Sequence, residues 1–397
     1  MGHFRIMLRV VAACTFIGFC LSASVLSAED TVRFAVFSDS RSAGRPTGTC
    51  AEVNFGVGNV LGPLVQSILD LHRKRPIQVV LFAGDMIRGV FPNCGTTVAR
   101  SNRSQLQHWR RIMVPLADAG MKIRVTAGNH EVTAADPNVP AFKCSPHSWP
   151  YRPSLKNLRV LKEVLHDMLG SDTIPGSDLG FTYSFDEGNV HFAVLDAYTL
   201  YRRDAFSDEI LRWLEHDLQK AARSGKRLFV ASHPPAFPGG GHMWDSLPFY
   251  DPLYKCDNRS GMDRRKERDR FWEILRRHHV IAYFCGHEHN IQVQRVRGVW
   301  QVVSGGVTPR LYPLNGSEKD RSRNTILYDG KFQNPEASVI WPWNDGRKAY
   351  WGWCLVTVRQ ESIGMEVFGT PEHPWTARDF EPLKRFVLWE RNESPKE

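Results

Sequence analysis

The sequence lacks the local patterns that identify small metal-binding modules and repeat proteins. It has no CxxC pair, and no two histidines stand four residues apart within a predicted helix. These absences exclude a zinc finger. No internal repeat and no clear linker divides the chain, whose 397 residues suffice for one large α/β domain with additions or for two domains.

Long apolar runs are scarce as well, and the one candidate lies at the N-terminus. Arg5 and Arg9 precede an apolar stretch from Val10 to Leu21, and small residues follow as far as Ala28. This pattern is typical of a secretory signal peptide and predicts cleavage after Ala28, with export to the periplasm or the medium. The stretch is shorter than the roughly 20 residues of a spanning helix. A retained anchor, which would make the chain an envelope-associated structural protein, is the alternative.

Cysteines are few, but their number after cleavage is even. Of the eight, six remain: Cys50, Cys94, Cys144, Cys256, Cys285 and Cys354. An even count in an exported chain suggests disulfides, although six cysteines allow 15 pairings. The first four lie in loops after predicted strands and could cross-link these loops. Cys285 and Cys354 lie in apolar runs, where buried free thiols are the competing interpretation.

Neither sign of charge is concentrated in one segment. The net charge of +9 becomes +7 when Arg5 and Arg9 are removed, since residues 1 to 28 contain no Asp or Glu. The densest basic run, Arg264 to Arg270, contains interleaved acids and begins an amphipathic helix. Such a run favours a solvated helix face, so the sequence gives no specific signal for nucleic-acid binding.

Five short apolar runs each end just before a potential metal ligand. They place Asp39 after Val32 to Phe37, Asp85 after Ile77 to Ala83, Asn129, His130 and Glu131 after Ile123 to Ala127, His233 after Leu228 to Ala231, and His287 and His289 after Ile281 to Cys285. The runs read as buried strands. If the strands lie side by side, their carboxyl ends form one edge. Oxygen and imidazole donors together suit two divalent transition ions that share a carboxylate.

Each signal is weak when taken alone. An Asp after a strand is more often a turn or capping residue. The segment Gly286 to His289 is a stronger signal, because alternate residues of an extended segment point the same way. All five signals in order, each at a strand end, predict one metal centre.

The order of these motifs resembles that of the calcineurin-like metallophosphoesterases, which include purple acid phosphatases, cyclic-nucleotide phosphodiesterases and exported phosphatases. Their series is Asp-x-His, Gly-Asp, Gly-Asn-His-Glu, a His followed two residues later by Pro, and Gly-His-x-His. Four motifs match, but Arg41 stands where the first has His. The resemblance covers roughly residues 31 to 312. It implies an α/β fold of four layers, a β-sandwich of two mixed sheets flanked by helices.

This fold agrees with the rest of the pattern. Helical spacing occurs in four segments, namely Val60 to His72, Gln105 to Ala119, Leu155 to Leu169 and the segment after the N-cap Ser207. Aromatic-rich runs from Tyr350 to Val358 and from Gly364 to Phe368 are interpreted as completing the second sheet. The predicted organisation is one domain over residues 29–397, with a strand-rich extension from about residue 313.

The resemblance also implies a role for each site residue. Asp85 would bridge two divalent ions, Asp39 and His289 would complete one metal site, and Asn129, His233 and His287 the other. His130 would stabilise the transferring phosphoryl group or protonate the leaving oxygen, and Glu131 would orient His130 or a ligand. The implied activity is phosphoester hydrolysis by a metal-bridging hydroxide. A phosphomonoesterase and a phosphodiesterase remain open, with small phosphoesters or nucleotides as substrates. A single-metal or inactive binding protein is the alternative.

Two arginines stand where relatives carry other residues. Purple acid phosphatases have a Tyr at the position of Arg88, so its absence favours Mn, Zn or Fe(II) over a purple iron centre. Arg41 cannot coordinate, because a guanidinium has no lone pair to donate. Arg41 is expected to turn away, to pair with an acid or to bind the substrate phosphate beside Asn129 and His130, and the Asp39 site is expected to be the weaker. The aromatic-rich segment Pro238 to Met262 is predicted to form a pocket wall.

Overall fold

The computed structural model describes most of the chain between residues 31 and 391. The described residues are 31–42, 57–89, 98–135, 151–170, 172–174, 181–198, 206–238, 247, 250–251, 262–263, 265–308, 311, 351–370 and 380–391. The predicted signal peptide and most of the segment Pro238 to Met262 lie outside them, as do Cys50, Cys94, Cys144 and Cys256. Cys285 and Cys354 are free, buried thiols.

The first sheet has six strands in the order β17-β16-β15-β1-β2-β3. Its parallel half consists of β1 (Val32–Phe37), β2 (Val79–Phe82) and β3 (Lys122–Val125), and its antiparallel half of β15 (Trp351–Val358), β16 (Ser362–Thr370) and β17 (Glu381–Glu390). The late strands were expected in the second sheet. They instead complete the sheet that β1 begins, because β15 pairs with β1, with Val32 opposite Val358.

The second sheet has seven strands in the order β13-β14-β12-β9-β8-β7-β6. Its strands are β6 (Asp172–Thr173), β7 (Tyr183–Glu187), β8 (Val190–Val194), β9 (Arg227–Ala231), β12 (Ala282–Cys285), β13 (Ile291–Val296) and β14 (Val299–Ser304). Strands β8, β9, β12 and β14 run parallel. Two small ribbons pair β4 (Thr133–Ala135) with β5 (Tyr151–Pro153) and β10 (Tyr250–Asp251) with β11 (Met262–Asp263).

The two sheets pack face to face through an aromatic layer. Phe34 of β1 makes edge-to-face contacts with Phe192, Phe229 and Phe284 of the second sheet, at centroid distances of 4.9, 5.1 and 5.7 Å. Alternate residues of a strand point to opposite faces. Phe37 therefore belongs to the other apolar cluster, which lies under the helices. This division explains why β1 is apolar at almost every position.

Helices cover the outer faces of both sheets. They are α1 (Leu61–Lys74), α2 (Val98–Asp118), α3 (Asn129–Val132), α4 (Leu155–Leu165), α5 (Asp208–Arg223) and α6 (Arg265–Arg277). Trp109 of α2 packs on Phe82 of the first sheet at 5.0 Å, and Trp272 of α6 packs on Tyr283 of the second at 6.2 Å. Two mixed sheets between helices confirm the predicted four-layer α/β fold. Among the described helices, none has the length and apolar composition needed to cross a lipid bilayer.

Candidate metal centre

The predicted ligands lie where the carboxyl ends of both sheets meet. Asp39 and Asp85 follow β1 and β2, His233 follows β9, and His287 and His289 follow β12. The edge was predicted from strands side by side, but two sheets contribute to it. A hydrogen bond from the backbone N–H of Ser38 to the carbonyl of Ser304, at 3.0 Å, joins the sheets at this edge.

Five of the six predicted ligands form two groups that share one carboxylate. Asp85, His233 and His287 form the first group, and Asp39, Asp85 and His289 form the second, with the ligand atoms of each group within 4.8 Å of one another. The rings of His233 and His287 are 5.1 Å apart. All five residues are buried. The sixth predicted ligand, Asn129, begins α3 directly after Gly128 and is half-buried.

Hydrogen bonds orient the ligand atoms toward the centre. Nδ1 of His233 lies 2.7 Å from the carbonyl oxygen of Ala83, which can only accept, so Nδ1 is the donor of this bond and Nε2 is the atom left for a metal ion. Oδ2 of Asp39 accepts from Ser38 Oγ at 2.7 Å and from the backbone N–H of His287 at 2.9 Å. Ser38 was not among the predicted site residues, although its position directly before Asp39 was a signal.

Several buried polar atoms of the predicted ligands make no hydrogen bond. Among the described residues, Oδ1 of Asp39, Oδ2 of Asp85 and Nε2 of His233 are buried atoms without such a partner. Buried polar atoms are nearly always satisfied, and exceptions require an explanation. Cations at the two groups would satisfy these atoms, and the mixed imidazole and carboxylate donors of the first group suit Zn, Mn or Fe. The residues present therefore fit a transition-metal ion.

Proton affinities at the centre reflect the same crowding of charge. Burial alone would lower the pKa of His233, but the carboxylates of Asp85 and Asp39 outweigh it and raise the pKa to about 9. Burial raises the pKa of Asp39 to about 6. For Asp85, burial acts upward, but His233, His130 and Arg41 together hold the pKa well below its usual range. A proton on His233 thus supplies positive charge that a metal ion would replace, so metal binding must release it.

The motif glycines are required by close packing against the ligands. A Cβ on Gly128 would lie 2.3 Å from Oδ1 of Asp85, and a Cβ on Gly286 would lie 2.4 Å from Oδ2 of Asp39. Any side chain at either position would displace the carboxylate beside it.

The backbone at the ligands is strained. Asp39, Asp85, His287 and His289 have φ values of 63°, 58°, 73° and 47°. They are four of the six non-glycine residues with positive φ in the described part of the chain. This region is costly for residues with a Cβ and clusters at functional sites. The sequence motifs gave no sign of it.

Glu131 holds the loops that carry Asp85. Its carboxylate accepts from the backbone N–H groups of Asp85 at 2.9 Å, Ile87 at 3.0 Å and Gly128 at 2.8 Å. Burial and the nearby Asp85 carboxylate raise the pKa of Glu131 to about 8, while the N–H groups of Ile87 and Gly128 act in the opposite direction. Glu131 thus joins the backbone of Asp85 to that of Gly128.

His130 lies beside the shared carboxylate. Its backbone N–H donates to Oδ1 of Asp85 at 3.1 Å, and its Nε2 lies 3.9 Å from Oδ2 of the same residue. Nδ1 donates to the carbonyl of Arg88 at 2.5 Å. Burial, followed by the charge of Arg41, lowers the pKa of His130 to about 3, so the imidazole is neutral near pH 7 and presents Nε2 as an acceptor.

Arg41 lies within the second ligand group. Its Nη2 is 2.7 Å from Nε2 of His289, and its Nε is 3.1 Å from Oδ2 of Asp85. Its side chain is 12% exposed. Of the three expected arrangements, pairing with an acid is the one observed. Arg88, at the position of the purple acid phosphatase Tyr, donates from Nη1 to the carbonyl of Ser42 at 2.9 Å.

This site architecture agrees with a comparison of the sequence with known families. Residues 33–290 match the calcineurin-like phosphoesterase family. The chain belongs to this family. The matched range spans the positions of all five motifs, and the predicted resemblance is confirmed.

Individual relatives are more distant. Purple acid phosphatase 21 of Arabidopsis thaliana is 23% identical over 327 residues, which cover 79% of this chain and 62% of that protein. Purple acid phosphatase 13 of the same plant is 31% identical over 164 residues, 41% of this chain and 24% of that protein. The chain thus spans less than two thirds of the length of either relative. The structure of PhoD aligns with a TM-score of 0.52 and 14% identity, covering 90% of this chain and 69% of PhoD, and shares the fold.

Proposed function

We propose that this calcineurin-like phosphoesterase hydrolyses phosphoesters with a divalent metal at the Asp85 centre. The observation that carries the proposal is the sharing of Asp85 between two buried ligand groups. The purple acid phosphatase relatives support the same reaction class. Asp85, Asn129, His233 and His287 would hold one ion.

The chemistry required is the neutralisation of charge around a phosphate ester. Bound divalent ions would neutralise the phosphoryl oxygens and lower the pKa of water. In the net reaction a water oxygen bonds to phosphorus, the bond to the leaving oxygen breaks, and the leaving oxygen takes up a proton. The distance of 3.9 Å between Nε2 of His130 and Oδ2 of Asp85 supports a role for His130 in that transfer. Because its Nδ1 is bonded to Arg88, Nε2 is the atom that would accept and then deliver the proton.

The predicted pair of ions receives unequal support from the two ligand groups. The group around His233 has an imidazole nitrogen without a hydrogen bond and fits an ion of Mn, Zn or Fe. In the group around His289, the guanidinium of Arg41 contacts two of the three ligand residues. This contact also supports the alternative of a single-metal or inactive protein.

Metal-dependent turnover tests the proposed activity. The purified chain is stripped of metal, supplied separately with Mn²⁺, Zn²⁺ or Fe²⁺, and assayed on an aryl phosphate and a bis-aryl phosphate. We expect hydrolysis that requires metal and is lost in Asp85→Asn, a change that keeps shape but removes charge. The ratio of the two rates assigns monoesterase or diesterase preference. Metal binding without turnover of either ester would favour the inactive binding protein.

We also propose that the chain is exported after cleavage at Ala28. The pattern around Arg5, Arg9 and the apolar stretch supports this. Sequencing the N-terminus of the protein recovered from its producing cells tests it. A mature chain that begins at Glu29 is expected, and an intact Met1 would indicate a retained anchor instead.

A further inference from the structure

Arg41 and a metal ion would compete for the same ligand atom. The imidazole nitrogen Nε2 of His289 has one lone pair, and a guanidinium can only donate hydrogen bonds. At 2.7 Å from Nη2 of Arg41, this lone pair accepts a hydrogen bond. His289 cannot bind a metal ion through Nε2 while the bond is made. Only the carboxylates of Asp39 and Asp85 would then remain in the second group.

The positive charge of Arg41 compensates the negative charge of the carboxylates in that group. Asp39 and Asp85 are fully buried, and two adjacent carboxylates require a cation. Nε of Arg41 lies 3.1 Å from Oδ2 of Asp85, although its N–H is not aligned for a hydrogen bond. The contact is therefore an ion pair in a site from which most water is excluded.

The backbone of Arg41 is held by its own β-bridge and by the bonds of the preceding residue. Arg41 forms a β-bridge with Val57, and the hydroxyl of the preceding Ser40 donates to the carbonyl of Met86 at 2.9 Å. The carbonyl of Ser40 also accepts from the backbone N–H of Gly58 at 2.6 Å. These bonds fix the position from which the side chain extends toward His289.

We infer that the guanidinium of Arg41 takes the place of the second metal ion. The centre would hold one divalent ion, at Asp85, His233 and His287, with Arg41 as its second cation. The inference rests on the proposed function, since it presumes that the first group binds metal. A guanidinium has five N–H donors, so Arg41 retains donors for a phosphoryl oxygen after its contacts with His289 and Asp85.

Metal stoichiometry tests the inference without relying on activity. Each protein is stripped, dialysed against excess Mn²⁺ and analysed for manganese per chain, and its electron paramagnetic resonance spectrum is recorded. We expect one Mn²⁺ per wild-type chain, with the spectrum of an isolated ion. We expect two in Arg41→His and Arg41→Met, with the spectrum of a coupled pair. Arg223→His, on the exposed face of α5, is the matched control and should bind one.

The two Arg41 variants separate the possible explanations. Arg41→His adds a ligand, whereas Arg41→Met only removes the guanidinium and frees His289. A second ion in the His variant alone would mean that a new ligand, rather than the release of His289, creates the site, and would overturn the inference. Two ions in the wild type would also overturn it, while leaving the proposed hydrolysis intact. If no form binds manganese, zinc or iron, the proposed function fails as well.

Discussion

Replacing Gly128 by alanine tests whether close packing positions Asp85. A Cβ at this position would lie 2.3 Å from Oδ1 and 2.4 Å from the backbone nitrogen of Asp85. The φ angle of Gly128 is not in the left-handed region, so alanine meets no backbone penalty and the effect is steric. Ordinary contact begins near 3.4 Å, so Asp85 would have to move by about 1 Å.

The surroundings resist that movement. The backbone N–H of Asp85 is bonded to the buried carboxylate of Glu131 at 2.9 Å. Overpacking a rigid site costs about 1 to 3 kcal/mol. We expect Gly128→Ala to lose roughly 2 to 3 kcal/mol of unfolding free energy, at the upper end of that range because backbone must shift. Displacing a ligand should also weaken metal binding by about 10- to 100-fold, the effect typical of disturbed ligand support.

Urea unfolding in a chelator and calorimetric titration with Mn²⁺ measure these two effects. Gly62→Ala in α1 is the matched control, since a Cβ there meets nothing within 4 Å. That change should stabilise the protein by about 0.5 to 1 kcal/mol, because alanine is the better helix former. If Gly128→Ala matched the wild type in both stability and metal affinity, close packing at Asp85 would not be the reason for the glycine.

Four further changes test individual residues of the centre and the scaffold. Asp85→Asn should lose the metal ion held with His233 and His287, as measured by metal analysis, because a neutral amide replaces the carboxylate of that group. His130→Ala should retain metal but lower kcat by about 10²- to 10⁴-fold, with a smaller loss for aryl esters whose leaving groups need no proton. Glu131→Gln should cost about 1 to 3 kcal/mol in urea unfolding, since at least one buried N–H loses its acceptor. The fourth test concerns the pH dependence of stability at His191. Burial alone would lower the pKa of His191, but the carboxylates bonded to it, including Asp217 at 2.8 Å, outweigh burial and raise the pKa. The stabilisation is therefore complete below the unfolded pKa of about 6.5 and is lost as pH rises through the folded pKa. Urea unfolding at pH 6 and pH 9 should show a smaller loss of stability in His191→Asn than in the wild type, because His233, whose pKa is also raised, contributes to the loss in both proteins.

The grouping of Asp39, Asp85, His233, His287 and His289 could be predicted because strand ends are local signals. β1 spans Val32–Phe37, as its apolar run predicted, and Ser207 caps α5 by accepting from the backbone N–H of Ile210 at 3.2 Å. The placement of the late strands could not be predicted in the same way. The strand Trp351–Val358 is apolar enough for the centre of either sheet. It pairs with β1, which lies some 300 residues earlier in the sequence. No local sequence pattern predicts which strand it pairs with.

The arrangement of Arg41 shows a second limit. Its chemistry excludes coordination, and that conclusion needed only the residue type. Its partner depends on the distances from Arg41 to Asp85 and to His289. Asp85 follows a strand of the first sheet and His289 a strand of the second, so these distances depend on how the two sheets pack. The sequence therefore reduced the possibilities to three, and tertiary structure selected the pair with Asp85.

The positive φ angles at the ligands are an energetic feature that side-chain patterns cannot reveal. Each such residue costs about 1 to 2 kcal/mol, with less for Asp, so Asp39, Asp85, His287 and His289 together cost roughly 2 to 6 kcal/mol. This is a large share of the 5 to 15 kcal/mol that stabilises a typical domain. The hydrogen bonds of the Glu131 carboxylate and the apolar layer between the sheets must offset it. A bound cation also relieves the repulsion between the carboxylates. Part of the free energy of metal binding therefore offsets the cost of holding Asp39, Asp85, His287 and His289 in these conformations. Metal should therefore stabilise the wild-type fold, and it should do so less in variants that disturb Asp85.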